Sequence, residues 1–329
     1  MRSIKSLLIV MLVAATLLPA SRVFSQSGTN SGGSGLSISP TKFEFVIERG
    51  KAELASIQVK NVTEKPIIAR VFLNDFEQDG LTGNPKLIID PDQEQSARSI
   101  REFVVGLEDA PIAAGETAVF DVPIQIPEDA APGAYYGAIR FLSVPADSSE
   151  DDSTTVPQVS LNASVAALIL VEVPGNITEK IEVSSVSAYL NNEQKGSLFT
   201  KKPTKVGIEI NNLGNGFAKP FGNVTVQGPW GKGEVQNYEL NDSTPRGNIL
   251  PNSKRLFIDA LTSVSLPGRY TIQANVSHGN GGDVLIATTS FWYIPTWVII
   301  VVILLVLLAT ALSYYLYRKY VTKSTKKKR

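Results

Sequence analysis

Residues 294–317 form an apolar stretch without a single charge, and no other feature limits the chain as much. Coiled as a helix, such a run crosses the ~30 Å hydrocarbon core of a bilayer. Trp292, Tyr293 and Trp297 stand at one border of it and Tyr314, Tyr315 and Tyr317 at the other. Amphipathic rings settle at the headgroup level, so these six are the expected membrane-interface anchors. Seven cations follow within residues 318–329: Arg318, Lys319, Lys323, Lys326, Lys327, Lys328 and Arg329. Positive charge resists translocation and is drawn to anionic lipid, which predicts a single-pass protein with a short cytoplasmic tail and everything before residue 294 outside. The tail also suits a lipid-binding switch, but it is too short to hold a signalling domain.

The other end carries the second address. Arg2 and Lys5 precede an apolar run over residues 7–18, and Val23 and Ser25 satisfy a small-residue cleavage rule before Gln26. Residues 1–25 therefore read as a secretory signal peptide. An uncleaved signal anchor is the competing reading, for which the run is short. Residues 26–35 are rich in Ser and Gly and read as a flexible tether.

What lies between must stand outside the cell without cysteine, of which the chain has none. Disulfides, thiolate nucleophiles and cysteine metal sites are excluded, and packing with strand pairing must carry stability. Secreted animal domains more often carry disulfides, which favours a bacterial envelope protein. The formal net charge is zero, yet three of the 31 basic residues sit in the leader and seven in the tail, leaving 21 against 31 acidic ones. An acidic exterior argues against nucleic acid as a partner.

Across residues 36–293 apolar and polar residues alternate over short runs broken by Pro, Gly and Asn, the strand period of two. Ala55, Ile57 and Val59 share one face, and the segment 66–73 returns as the next strand. Further strands are expected at 38–46, 86–90, 101–105, 118–126, 134–142 and 165–173. A weak internal repeat joins the halves. Pro132-Gly133-Ala134-Tyr135 is echoed by Pro267-Gly268-Arg269-Tyr270, and Ala55, Ile57, Val59 before Asn61 by Val206, Ile208, Ile210 before Asn212. The reading is an all-β chain of two tandem immunoglobulin-like β-sandwiches, residues 36–175 and 176–293, followed by the helix at 294–317 and the basic tail at 318–329. The short connection limits their relative angles.

The order of signal, tether, two sandwiches, helix and basic tail resembles the bacterial surface family of WxL-interacting proteins. Ser39-Pro40 opening a strand, Val59-Lys60-Asn61, Ala114-Gly115-Glu116, Ile126-Pro127-Glu128-Asp129, the run from Pro132 to Ile139, and Leu170-Val171-Glu172-Val173-Pro174-Gly175 look like that family's pattern. In the second half only the strand after Pro267-Gly268 and Phe291-Trp292 are similar. The resemblance implies peptidoglycan binding by the first domain and protein binding by the second. It transfers no ligand-contact residue, because the matching positions read as fold determinants.

Little in the chain suggests chemistry. His278 is the sole histidine, in a Gly- and Asn-rich loop, and a lone histidine without cysteine makes no ordinary zinc site. A Ser-His-Asp triad would have to recruit it from a hairpin tip. Ser39-Pro40-Thr41-Lys42 matches Ser-x-x-Lys without the partner motifs. Asp147, Glu150, Asp151 and Asp152 could offer oxygens to Ca²⁺ but lack the spacing of an EF-hand, and Asp75, Glu77 and Asp79 have the same standing as a solvated loop. Six Asn-x-Ser/Thr sites, at Asn61, Asn162, Asn176, Asn223, Asn241 and Asn275, would be glycosylated in a eukaryotic or archaeal host and silent in most bacteria. For binding, Tyr136 is the more informative of two adjacent tyrosines, since alternation that buries Tyr135 turns it outward. It either stacks on a ligand or packs on a neighbouring loop or domain. Trp230, in a Gly/Pro loop, either caps the second core or meets a partner.

The expectation is a non-enzymatic, membrane-anchored surface protein with no catalytic residue, no cofactor and no metal. Its partners would be the bilayer and peptidoglycan or another surface protein, in an adhesion or scaffold role. The alternative is a membrane-held assembly factor or chaperone for exported surface proteins, which caps their strands through an open sheet edge.

Overall fold

The computed structural model describes residues 35–90, 95–146, 164–191, 194–279 and 283–325. The signal peptide, nearly all of the tether, the acidic run from Asp147 to Asp152, Asn162 and the last four residues of the tail lie outside them.

The first unit is a sandwich of two sheets. One holds β1 (Leu36–Ser39), β3 (Ala52–Asn61) and β8 (Thr117–Gln125). The other runs in the order β2 (Lys42–Val46), β10 (Ser164–Val173), β9 (Gly133–Pro145), β4 (Ile67–Asn74), β7 (Ala110–Ile112). Between them Ala55, Ile57, Val59, Val122, Ile139 and Phe141 are fully buried, which is the face that the alternation assigns inward. The segment 38–46 is not one strand. It breaks at Ser39-Pro40: β1 pairs antiparallel with β3, while β2 crosses to the opposite sheet and pairs parallel with β10. Proline cannot continue a ladder, and the break falls where it stands. The expected strand at 101–105 is instead a turn, with one isolated bridge between Val104 and Ile124. A small two-stranded hairpin of β5 (Phe76–Gln78) and β6 (Pro85–Leu87) belongs to neither sheet and packs Phe76 on the outer face of the larger one.

The second unit repeats the plan. One sheet runs β12 (Gln194–Gly196), β11 (Ile181–Leu190), β14 (Lys205–Asn212), β17 (Lys254–Ala260). The facing sheet runs β13 (Leu198–Phe199), β19 (Leu285–Tyr293), β18 (Gly268–Ser277), β15 (Phe221–Gln227), β16 (Glu234–Leu240). Tyr270, Ile272, Ala274 and Val276 point into its core. The fold is thus all-β, with two tandem immunoglobulin-like sandwiches and, among the described residues, one long helix, α1 (Thr296–Thr325).

The internal repeat holds at atomic detail. Asn61 and Asn212 are both buried at the ends of equivalent strands. Each donates its amide to the carbonyl four residues on (Lys65, 2.7 Å; Gly216, 2.9 Å) and to two consecutive carbonyls of another segment (Ile112 and Ala113; Ile249 and Leu250). Each also accepts the backbone N–H two residues on, from Thr63 and Gly214. The tyrosines match as well: Tyr135 donates to the carbonyl of Ala131 at 3.0 Å and Tyr270 to that of Leu266 at 2.9 Å, in both cases four residues back.

α1 leaves β19 after only Ile294 and Pro295. The N–H of Ile294 donates to Phe199 at 2.8 Å, which carries the sheet up to the helix. Within it Thr296–Lys319 is apolar and long enough to span a membrane, with none of its length buried against the sandwiches.

Candidate functional site

The outer face of the larger sheet of the first sandwich is not free. Phe76, Ala138 and Leu250 form a buried apolar seam with Tyr136, Leu168 and Phe217 packed onto it. Tyr136 lies between the rings of Phe76 (5.2 Å) and Phe217 (6.3 Å), in the junction between the two sandwiches. Of the two readings weighed for it, the structure places it against a neighbouring domain. Burial pushes its phenol above the usual range; a hydrogen bond with Ser96 and the Arg98 charge pull down, while the Asp75 carboxylate adds to the rise. Polar bonds flank the seam. The N–H of Ala134 donates to Asn215 at 2.8 Å, and Glu44 of β2 takes Lys219 at 2.5 Å and Asn248 at 3.2 Å.

Beside this seam lies a cleft of about 340 Å³ between the two sandwiches. Its first wall is the β2–β10 edge, with Glu44, Phe45, Val46, Leu170 and Glu172; its second is the turn Asn212–Lys219 with Glu179 and His278. His278 is mostly buried here, its Nδ1 3.6 Å from a Glu179 oxygen. Burial raises the Glu172 carboxyl and the Glu179 charge adds to that rise, against a smaller lowering by Lys219. Glu44 differs. Burial would raise it too, but hydrogen bonds from Lys219 and Lys42, with their charges, together hold it below the usual carboxylate range.

The backbone of β2 gives this cleft its chemistry. β2 is the last strand of its sheet. Its register with β10, with Leu168 N–H donating to Thr41 and Ile47 N–H to Glu172, turns Phe43 and Phe45 towards β10. In a parallel ladder alternate residues face opposite sides, so the N–H and C=O groups of Lys42, Glu44 and Val46 point away from the sheet. No strand among the described residues pairs with that side. Val46 itself is 69% exposed.

The other candidates fall elsewhere. Ser39 to Lys42 is the crossover between sheets, and Lys42 pairs with Glu44. The expected solvated loop at Asp75, Glu77 and Asp79 is corrected: Asp75 is buried and accepts the Ser96 N–H and the Ser99 hydroxyl, Glu77 pairs with Lys86 at 2.8 Å, and Asp79 opens the β5–β6 turn. Alternation along a strand could not reveal this, because the groups that bury Asp75 come from a segment some twenty residues on. No group of three metal-ligating side chains occurs among the described residues. Trp230 is 84% exposed at the tip of the β15–β16 hairpin, far along the chain from every residue of the cleft's β2 wall. Trp292 and Trp297 are exposed while Tyr293 is buried, so Tyr293 belongs to the second core and not to an interface belt; Tyr314, Tyr315 and Tyr317 are exposed along α1. The assembly-factor reading expects an open sheet edge, but the sequence does not place that edge at β2. Its only signal there was Pro40, which marks the crossover that creates it.

No family model matches the chain, and no curated protein matches it in sequence. Similar solved structures include the class 5 fimbriae chaperone CfaA, at 17% identity over 79% of this chain and 99% of that one, with a TM-score of 0.38. The Escherichia coli chaperone DraB is similar at 14% identity, 78% and 95% coverage and a TM-score of 0.33. The CsuC–CsuE chaperone–tip adhesion subunit pre-assembly complex of Acinetobacter baumannii is similar at 14% identity, 76% and 97% coverage and a TM-score of 0.35. At these scores no partner or site transfers, and the strand pairing described above defines the fold.

Proposed function

We propose that the chain is a non-enzymatic binding protein of the cell surface, held by α1 with its sandwiches outside and its basic tail inside, that takes an extended segment of a protein partner along the open edge of β2. The observation that carries this reading is the outward row of N–H and C=O groups at Lys42, Glu44 and Val46 beside the interdomain cleft. An unpaired edge is a template for one more strand: main-chain bonds supply affinity, and flanking pockets select side chains. Here the flank is mixed, with Leu170 and Phe217 apolar and Glu172, Lys219 and His278 polar.

A scaffold and an assembly factor would both use such an edge. The edge suits a segment that is still extended, which favours the assembly factor for exported surface proteins over a permanent scaffold. The likeness to WxL-interacting proteins adds peptidoglycan as a proposed ligand of the first sandwich. Its aromatic candidate, Tyr136, is covered by the second sandwich, so a protein segment is proposed first.

The test uses the full chain in lipid nanodiscs, titrated with labelled peptides of alternating apolar and polar residues and with proline-bearing versions of them. Only the uninterrupted peptides are expected to bind. Val46→Pro removes one outward N–H and no native ladder bond, and should weaken binding about tenfold, roughly 1.4 kcal/mol. Unchanged affinity in Val46→Pro rejects the edge as the site.

A further inference from the structure

The end of the second sandwich nearest α1 has the composition of a surface made to lie on lipid. Only Ile294 and Pro295 separate Tyr293 from Thr296, a span of roughly 10 Å when extended. Pro295 is buried, and Ile294 is still bonded to Phe199. The join is therefore a continuation of the sheet and not a swivel, and any membrane that α1 crosses must begin within that distance of the strand ends.

The strand register says what else is at that end. Gly268 pairs with Tyr293, and Phe199 pairs with Tyr293 on the other side. The connections 200–204, 228–233 and 261–267 consequently all emerge there. They contain Lys201, Lys202 and Lys232 and no acidic residue, in an ectodomain whose overall balance is acidic. The adjoining acid on the 228–233 hairpin is Glu234, the first residue of β16; the β11–β12 turn, with Glu193, lies outside the described residues.

Trp230 is the centre of this surface. Its indole Nε1 donates to the carbonyl of Pro267 at 2.8 Å, next to the residue that pairs with Tyr293. Pro229 beneath it is buried against Gly268, where a side chain would stand 2.5 Å from Pro229 and 3.0 Å from the indole nitrogen. Trp230 itself has φ of 59°, a left-handed conformation that a bulky residue seldom adopts, followed by Gly231 and Gly233 in the same region. The loop thus tethers the one polar atom of the ring and turns its apolar body outward. Tryptophan is among the better-buried residue types on average, and an indole with its N–H satisfied gains nothing from water. Leu198 and Trp292, opposed in register, add exposed apolar surface at 62% and 47%, and Leu266 at 43%.

We propose that this end is a membrane-contact surface: Trp230 seats in the headgroup region beside Leu198 and Trp292, while Lys201, Lys202 and Lys232 engage anionic headgroups. This rests on α1 spanning the same membrane. It fixes the tilt of the sandwiches, and with it the height of the β2 edge above the bilayer.

The experiment reads two tryptophans separately in the full chain. Trp292→Phe/Trp297→Phe leaves Trp230 as the reporter, and Trp230→Phe/Trp292→Phe leaves Trp297. Each is reconstituted in phosphatidylcholine vesicles with and without phosphatidylglycerol, and with acyl chains brominated near the carbonyl. In anionic vesicles Trp230 emission should shift to the blue and be quenched. Both effects should fall in zwitterionic vesicles and in the Lys201→Ala/Lys202→Ala/Lys232→Ala variant. Quenching of Trp297 without Trp230 overturns the contact surface and leaves the anchor standing. Equal Trp230 quenching in both lipids overturns the role of the lysines. Absence of Trp297 quenching overturns the membrane reading itself.

Discussion

In each sandwich a buried asparagine closes a turn that the backbone cannot close alone, and Asn212 shows the cost of doing without it. Its side chain satisfies three carbonyls and one N–H that are shut away from water. Asn212→Ala removes all four bonds and offers the freed groups nothing in exchange. The expected loss is about 3 kcal/mol, read as a lower urea midpoint, with Asn61→Ala close to it because its amide pattern is the same. The burial of Asn61 also closes its Asn-x-Thr site to glycosylation in the folded protein, whatever the host. Glu172 makes the opposite case. Burial and Glu179 raise its pKa, so the proton is held more tightly in the folded chain than in the unfolded one. Its contribution is then full below the unfolded value of about 4.3 and is lost as pH rises through the folded value. Glu172→Gln should raise the melting temperature at neutral pH and lose that gain in acid. A gain that persists undiminished at pH about 3 would show that packing and not titration is responsible.

At the scale of elements, the strands were legible and their partners were not. Alternation at Ala55, Ile57 and Val59 declares a strand and its inward face, and the repeat around Pro-Gly-x-Tyr pairs one sandwich with the other. Alternation does not say which sheet a strand joins: the apolar positions shift from even (Leu36, Ile38) to odd (Phe43, Phe45), which marks a break at Pro40 but does not say that Lys42–Val46 lies across the core from Leu36–Ser39. The open β2 edge depends wholly on that crossing, and for this reason the sequence does not place it. The β5–β6 hairpin was half legible: the strand expected at 86–90 appears as β6 at Pro85–Leu87, while its partner β5 was not expected. Asp75, Glu77 and Asp79 read as an acidic loop, whereas in the structure the hairpin reaches the second sandwich: the carbonyl of Leu81 accepts the Leu256 N–H of β17 at 2.9 Å, and Gln78 donates to the Lys254 carbonyl. It caps one end of an otherwise open edge and ties the sandwiches together. Replacing residues 79–84 by Asn-Gly keeps a two-residue hairpin while withdrawing its tip. Spin labels placed one in each sandwich should then give a broader distance distribution, with strand content unchanged. An equally narrow distribution would assign the fixed angle to the seam alone.

Taken as one molecule, the chain joins two cores through a seam that is itself a small core. The outward position of Tyr136 was readable from its buried neighbour Tyr135, but its cover comes from Phe217, eighty-one positions later, and no local pattern encodes such a contact. The seam buries Phe76, Ala138 and Leu250 and is ringed by the Glu44–Lys219 pair and the Ala134–Asn215 bond. Exposing it would uncover apolar surface at roughly 25 cal/mol per Å², so neither sandwich melts without loss to the other. Unfolding of the full chain in detergent, followed by one fluorophore in each sandwich, should therefore give coincident transitions. Phe217→Ser removes the ring against which Tyr136 packs and leaves a hydroxyl in the seam. It should separate the two transitions, the second sandwich melting first because the substitution lies in its own 212–219 turn. Two transitions in the unaltered chain would mean that the sandwiches are independent and that the cleft between them has no fixed width. A partner segment held by β2 alone would then be insensitive to Phe217→Ser, whereas one gripped from both walls of the cleft should leave sooner in that variant.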